Sequence, residues 1–192
     1  MFTRTDLSGP HAQNLGVGRM KILAMDVATQ CGLAVGDSRS KPKAWSVDLG
    51  KGHSEDYRFS EALKLTHGLI ETHNPDLIAI EAFIGGKHAS AYLIGLVACI
   101  RGCAANRSVK CVMVFPATAR KHFIGKALTS RDFPGMKQAK AKLEIKKTVQ
   151  KYCQIRGWNA PDLDSADALA VYDWACATHA PKYQSKPNGG LF

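Results

Sequence analysis

No stretch of this chain approaches the ~18 consecutive apolar residues that a membrane-spanning helix needs, and no basic amphipathic segment presents a Trp or Phe face to a membrane surface. Residues 1–19 are polar and lack the apolar centre of a secretory leader. Cys31, Cys99, Cys103, Cys111, Cys153 and Cys176 form no C-x-x-C pair, and their spacing matches no zinc template. Most of them lie in apolar segments, which predicts reduced, buried thiols in a cytoplasmic protein. The 7 histidines form no H-E-x-x-H pattern, and no internal repeat is visible. Integral membrane proteins, disulfide scaffolds, zinc modules and repeat arrays are therefore set aside.

What remains is a chain of 192 residues, enough for one domain with a full core, at 45% apolar content. Lys and Arg number 26 against 16 Asp and Glu, a net charge of +10. Such an excess predicts attraction to a polyanion, nucleic acid first and an anionic membrane surface second.

The apolar pattern predicts three strands early in the chain, Lys21–Val27, Cys31–Asp37 and Ala44–Leu49, whose short turn-rich separations suggest an antiparallel meander. Gly32 and Gly36 fit turns or a close backbone approach. Ser54 is a candidate cap for a helix running to about His73, with Phe59, Leu63 and Ile70 inward, stopped by Asn74-Pro75. A strand over Asp76–Glu81, a helix from about Lys87 to Asn106 and a strand over Lys110–Phe115 follow. Pro116 opens a short helical turn to about Gly125, and 128–135 reads as a loop. A helix over Met136–Arg156 carries Ile145, Val149, Tyr152 and Cys153 inward, and a last helix runs from about Asp164 to His179. The order β-β-β-α-β-α-β-α-α predicts an α/β fold, a mixed five-stranded sheet with helices on both faces. Residues 1–19 are expected to be a flexible arm, 20–180 the domain, and 181–192 a disordered tail.

Four carboxylates carry the chemistry. Asp26 ends the run Lys21-Ile-Leu-Ala-Met-Asp26, and Glu81 ends Asp76-Leu-Ile-Ala-Ile-Glu81. Asp164 and Asp167 stand one helical turn apart in Asp164-Ser-Ala-Asp-Ala-Leu-Ala170. An acid at the end of a buried strand is costly unless its charge is compensated. The usual compensation for clustered carboxylates is a hard divalent cation, Mg²⁺ or Mn²⁺. Two such ions clamp the attacking and leaving oxygens of a phosphodiester displacement, with Asp26 as the natural bridging ligand. Taken singly, each acid has a plainer role: Asp164 as a helix N-cap, Asp167 as a first-turn acid favoured by the dipole, Asp26 as a turn residue. Asp162 reads as a loop residue, with a ligand role as the alternative.

These residues resemble a known family, the RuvC-type Holliday-junction resolvases of the RNase H-like superfamily. The resemblance rests on Ile22-Leu-Ala-Met-Asp26 with Gly32-Leu-Ala-Val, on Ile78-Ala-Ile-Glu81-Ala-Phe, and on Asp164-Ser-Ala-Asp167-Ala-Leu-Ala. It spans about residues 20–180. It implies a Mg²⁺-dependent endonuclease, with Mn²⁺ able to substitute and two ions per site. The metal-binding and catalytic residues would be Asp26, Glu81, Asp164 and Asp167. It implies a homodimer that binds four-way DNA junctions and makes symmetric paired nicks, as in DNA recombination and repair. The segment around Gly125–Met136 is longer than the family pattern, which leaves the preferred cleavage sequence open and makes a phage or divergent member with broader branched-DNA activity a natural reading.

Lys137, Lys140 and Lys142, near the start of the helix over Met136–Arg156, are candidate phosphate contacts as a group, although for any one lysine a solvated side chain is the better reading. Phe83, just past Glu81, is a candidate for stacking at a junction centre, with a core Phe as the alternative. Gly85, Gly86 and Lys87 suggest a loop over the substrate. Ala91, Gly95, Ala98, Gly102 and Ala105 form a stripe of small residues that suits either packing on the sheet or a two-fold interface. Rival readings are a catalytically weak branched-DNA-binding protein, a ribonuclease H acting on hybrids, and a fragment of an actin-like kinase. The last should carry a Gly/Thr-rich phosphate loop where Ala28-Thr29-Gln30 stands.

Overall fold

The computed structural model describes residues 19–83 and 90–185. Five strands form one sheet: β1 (Lys21–Asp26), β2 (Gln30–Asp37), β3 (Lys43–Asp48), β4 (Leu77–Glu81) and β5 (Lys110–Val114), in the order β3-β2-β1-β4-β5. The predicted meander is present, β1 to β3 being antiparallel neighbours, while β4 and β5 run parallel to β1. β1 is therefore the central strand. Its register with β4 pairs Met25 with Ile80, which brings Asp26 and Glu81 to the same end of adjacent strands.

Alternation along the strands divides the core. On one face, Leu23, Met25, Leu33, Ile78 and Ile80 pack beneath α1 (Glu55–His73) and α2 (Ala91–Asn106). On the other, Ile22, Ala24, Ala34, Leu77 and Ala79 meet α5 (Leu163–His179). α3 (Pro116–Ile124) and α4 (Gln138–Ile155) cover α5 in turn. α5 is thus a helix between layers. That is why the run Ser165–Asp173 is buried throughout and why its sequence is apolar on nearly every side. Phe123, Trp158 and Tyr172 fill the space where α3, α5 and the chain after α4 converge.

Several expectations need correction. The turn after Pro116 is a nine-residue helix, begun by Pro at its first turn, where a missing N–H costs nothing, and closed by Gly125 at φ 86°. The expected loop at 128–135 contains a short 3-10 turn, Ser130–Asp132, capped by Thr129. Leu63, expected inward, is exposed; Ala62, Thr66, Leu69 and Ile70 form the buried side of α1. Of the expected tail, 186–192 lies outside the described residues, while 181–185 stays against the domain. Tyr183 donates to Asp173 at 2.5 Å and Ser185 to the same carboxylate at 2.7 Å, so the segment to residue 185 is tied to a fully buried acid. Ser54 does cap α1, accepting from the Tyr57 N–H at 3.2 Å. All six cysteines are free, with Cys31, Cys153 and Cys176 buried. Among the described residues no helix is long and apolar enough to cross a membrane.

Candidate active site

The carboxyl ends of β1 and β4 present Asp26 and Glu81 side by side, and the first turns of α5 bring Asp164 and Asp167 over them. The placement of α5 depends on Asp162. Its side chain caps the helix, accepting from the Ser165 N–H at 2.8 Å, and also accepts the Ser46 hydroxyl at 2.6 Å. Asp162 is therefore a structural cap and not a plain loop residue, and Asp164 is released from the capping role that its position suggested. The Asp164 side chain turns to the site instead.

The acids gather around a cation supplied by the chain itself. Lys146 of α4 places its Nζ 2.6 Å from Asp164 Oδ1, 3.2 Å from Asp167 Oδ2 and 3.5 Å from Asp26 Oδ2. Arg120 of α3 forms a fork on Asp167, with Nε 3.1 Å from Oδ1 and Nη2 3.0 Å from Oδ2. Asp167 is 1% exposed and Asp26 7%. Their burial is tolerable because each faces a guanidinium or an ammonium.

The electrostatics show how concentrated the negative charge is. Burial, followed by the charge of Asp167, raises the Asp26 carboxyl to about 7, although Lys146 and Arg120 pull the other way. Burial, then the charges of Asp26 and Asp167, pushes Glu81 well above the usual carboxylate range. The Arg120 guanidinium is held above its ordinary range; its burial acts against this, and the charge and hydrogen bonds of Asp167 outweigh it. Asp26, Glu81 and Asp167 thus sense one another's charge, and with Asp164 they share Lys146 or lie next to groups that do.

The candidate DNA contacts are dispersed. Lys137, Lys140 and Lys142 are exposed along the first turns of α4. Lys142 also lines a cavity of about 320 Å³ beside Glu81, with Val27, Phe83, Leu93 and Pro116. Phe83 is half-buried and packs against the core beneath α1 and α2, so it belongs partly to that core. Gly85, Gly86 and Lys87 lie outside the described residues. In α2, Gly95 admits the Phe59 ring of α1, which a Cβ would meet at 2.6 Å; Ala98, Gly102 and Ala105 face outward. Lys147, on the exposed side of α4, pairs with Glu144 at 2.9 Å.

Two residues at the centre of the site, Arg120 and Lys146, are missing from the sequence-derived set. Lys146 left a faint signal. With Lys142 it flanks the buried Ala141, Ile145, Val149 stripe on one side, four residues apart, where a long amine can reach past the apolar face.

No protein-family model matches the chain, and no curated protein matches it in sequence. Solved structures do. RuvC from Thermus thermophilus superposes with a TM-score of 0.57 at 18% identity, covering 84% of this chain and 99% of that one. The T. thermophilus RuvC in complex with a Holliday junction substrate gives a TM-score of 0.61 at 16% identity, over 84% and 98%. A central β1, a parallel β4 at its side, a buried α5 and this superposition over 84% of the chain show that the chain has the fold of RuvC, the RNase H-like architecture.

Proposed function

We propose that this protein is a divalent-metal-dependent endonuclease that resolves four-way DNA junctions by symmetric paired nicks, acting as a homodimer. The observation that carries the reading is the convergence of Asp26 and Glu81, from adjacent parallel strands, with Asp164 and Asp167 from α5, in a basic protein with this fold. The donor set suits Mg²⁺ or Mn²⁺, since every candidate ligand is a hard carboxylate oxygen. Among the described residues no three such groups already stand as a metal-ligating cluster; the Lys146 ammonium draws three of them onto itself. In this proposal Asp26, Glu81, Asp164 and Asp167 hold two ions. When bound, these would supply an activated water and a stabilised leaving oxygen. The chain's own part is positional: Arg120 fixes Asp167 by both oxygens, Asp162 frees Asp164, and Lys137, Lys140 and Lys142 hold phosphates on the approach to the site. The outward small residues of α2 are the candidate two-fold surface, which would supply two sites for two cuts.

The test is a labelled four-way junction incubated with Mg²⁺, beside a linear duplex, an RNA–DNA hybrid and the Asp26→Asn protein. Paired, ligatable nicks in the junction alone, lost in Asp26→Asn with junction binding retained, are the expected result. Binding without cleavage would make the protein a junction-recognition factor. Cleavage of the hybrid would place it with the ribonucleases H. Ca²⁺ should support binding without cutting, because its longer, looser coordination misplaces the water.

A further inference from the structure

We propose that Lys146 is the built-in counter-cation of the carboxylate site: it occupies the place of a divalent ion, competes with it, and is expelled when it binds. The inference rests on the divalent-ion reading above and concerns what sets the affinity of that site.

The geometry distinguishes Lys146 from an ordinary ion pair. One Nζ lies within 3.5 Å of oxygens from Asp26, Asp164 and Asp167, acids that come from a central strand and from two turns of a buried helix. Asp26, Asp164 and Asp167, with Glu81 beside them, face two monocations, Lys146 and Arg120, and a dication at the Lys146 position would neutralise more of the carboxylate charge. The two basic residues differ in how readily they leave. Arg120 grips one carboxylate by a two-point fork, whose planar geometry resists displacement. Lys146 is a point charge on a flexible stem, with its side chain 31% exposed at the flank of α4. It can withdraw toward solvent beside Lys142 without moving the helix. The same occupancy accounts for the lack of a ready three-donor cluster among the described residues, since the acids are oriented toward an ammonium.

The first measurement is calorimetric titration of MnCl₂ into the metal-free full chain at constant pH, for wild type, Lys146→Gln and Lys146→Arg. Removing the competitor should tighten Mn²⁺ binding by about tenfold or more, a change of about 1.4 kcal/mol, while Lys146→Arg should bind no more tightly than wild type. Equal or weaker binding by Lys146→Gln, with wild type binding normally, overturns the inference and leaves the nuclease reading standing. No Mn²⁺ binding by any of the proteins overturns both. A second measurement uses the wild type alone, in case Lys146→Gln fails to fold. Reductive methylation mapped by mass spectrometry should modify Lys146 slowly in the metal-free protein and faster with saturating Mn²⁺. Unchanged or slower labelling overturns the inference.

Discussion

Gly32 and Asp164 meet backbone to backbone: a Cβ built on Gly32 would lie 2.0 Å from the Asp164 carbonyl oxygen and 2.4 Å from its carbonyl carbon. Gly32 is also the partner of Asp26 across the β1–β2 pair. One missing side chain therefore lets the start of α5 settle directly onto the sheet beside the first acid. Gly32→Ala should lift that helix start, at a cost of about 1–3 kcal/mol for overpacking. It should also slow junction cleavage on the order of 100-fold, through misplacement of Asp164 and Asp167, with junction affinity little changed. Denaturant melts and single-turnover cleavage read the two effects separately. Normal cleavage would show that α5 tolerates the shift.

Arg120 holds an almost fully buried carboxylate. Arg120→Ala should destabilise the fold by about 2–3 kcal/mol, at or below the low end for a broken buried pair because Lys146 still faces Asp167. Arg120→Lys should recover only part of this, since an ammonium cannot make the fork. Urea denaturation of both variants in EDTA gives the answer; an Arg120→Ala protein as stable as wild type would mean that Lys146 alone compensates Asp167.

Metal-free stability should depend on pH through Asp26. Burial and the charge of Asp167 push its folded carboxyl up to about 7, against about 3.9 for an Asp in the unfolded chain. The folded state thus holds a proton that the unfolded chain gives up. The resulting stabilisation is complete below about pH 4 and is lost as pH rises to 7. Asp26→Asn removes that loss. In EDTA it should match wild type near pH 4 and exceed it increasingly toward pH 8, by roughly 4 kcal/mol at the limit. Thermal melts across that range would show the two curves diverging; parallel curves would refute the assignment.

The segment after α5 should be part of the stable unit. Asp173 is fully buried, and its burial acts to raise its carboxyl, yet hydrogen bonds from His122, Tyr183 and Ser185 hold it below the usual range. Tyr183→Phe should cost about 1–2 kcal/mol, and a chain ending at Lys182 should lose more, because Ser185 goes as well. A calorimetric melt unaffected by either change would show that the anchorage is weak.

The succession of strands and helices was legible, and the four acids that the fold brings together stood out, because both are written locally: apolar runs that end in an acid, and an acid pair at helical spacing. The partners of those acids were not. Arg120 meets Asp167 across 47 residues of sequence, and Lys146 was one lysine among several on a basic helix. Their role exists only once α3 and α4 are laid over α5. Asp162 and Asp164 could not be ranked as caps from spacing alone, since either residue type suits the position; the hydroxyl of Ser46, from a distant strand, favours Asp162. The tail looked unstructured by composition, and only the buried Asp173 explains why Tyr183 and Ser185 are held.

The burial of α5 between the sheet and α3 and α4 also bears on synthesis. Every other wall of the carboxylate site is encoded earlier, yet the site lacks two of its acids until the last helix emerges from the ribosome. That helix must then enter a space already framed on two sides. A chain stalled or cleaved before residue 167 would leave Ile22, Ala24, Leu77 and Ala79 on one face of the sheet without their cover, and the carboxylate site without Asp167. The order of the elements therefore makes completion of the site and closure of the core the same late event.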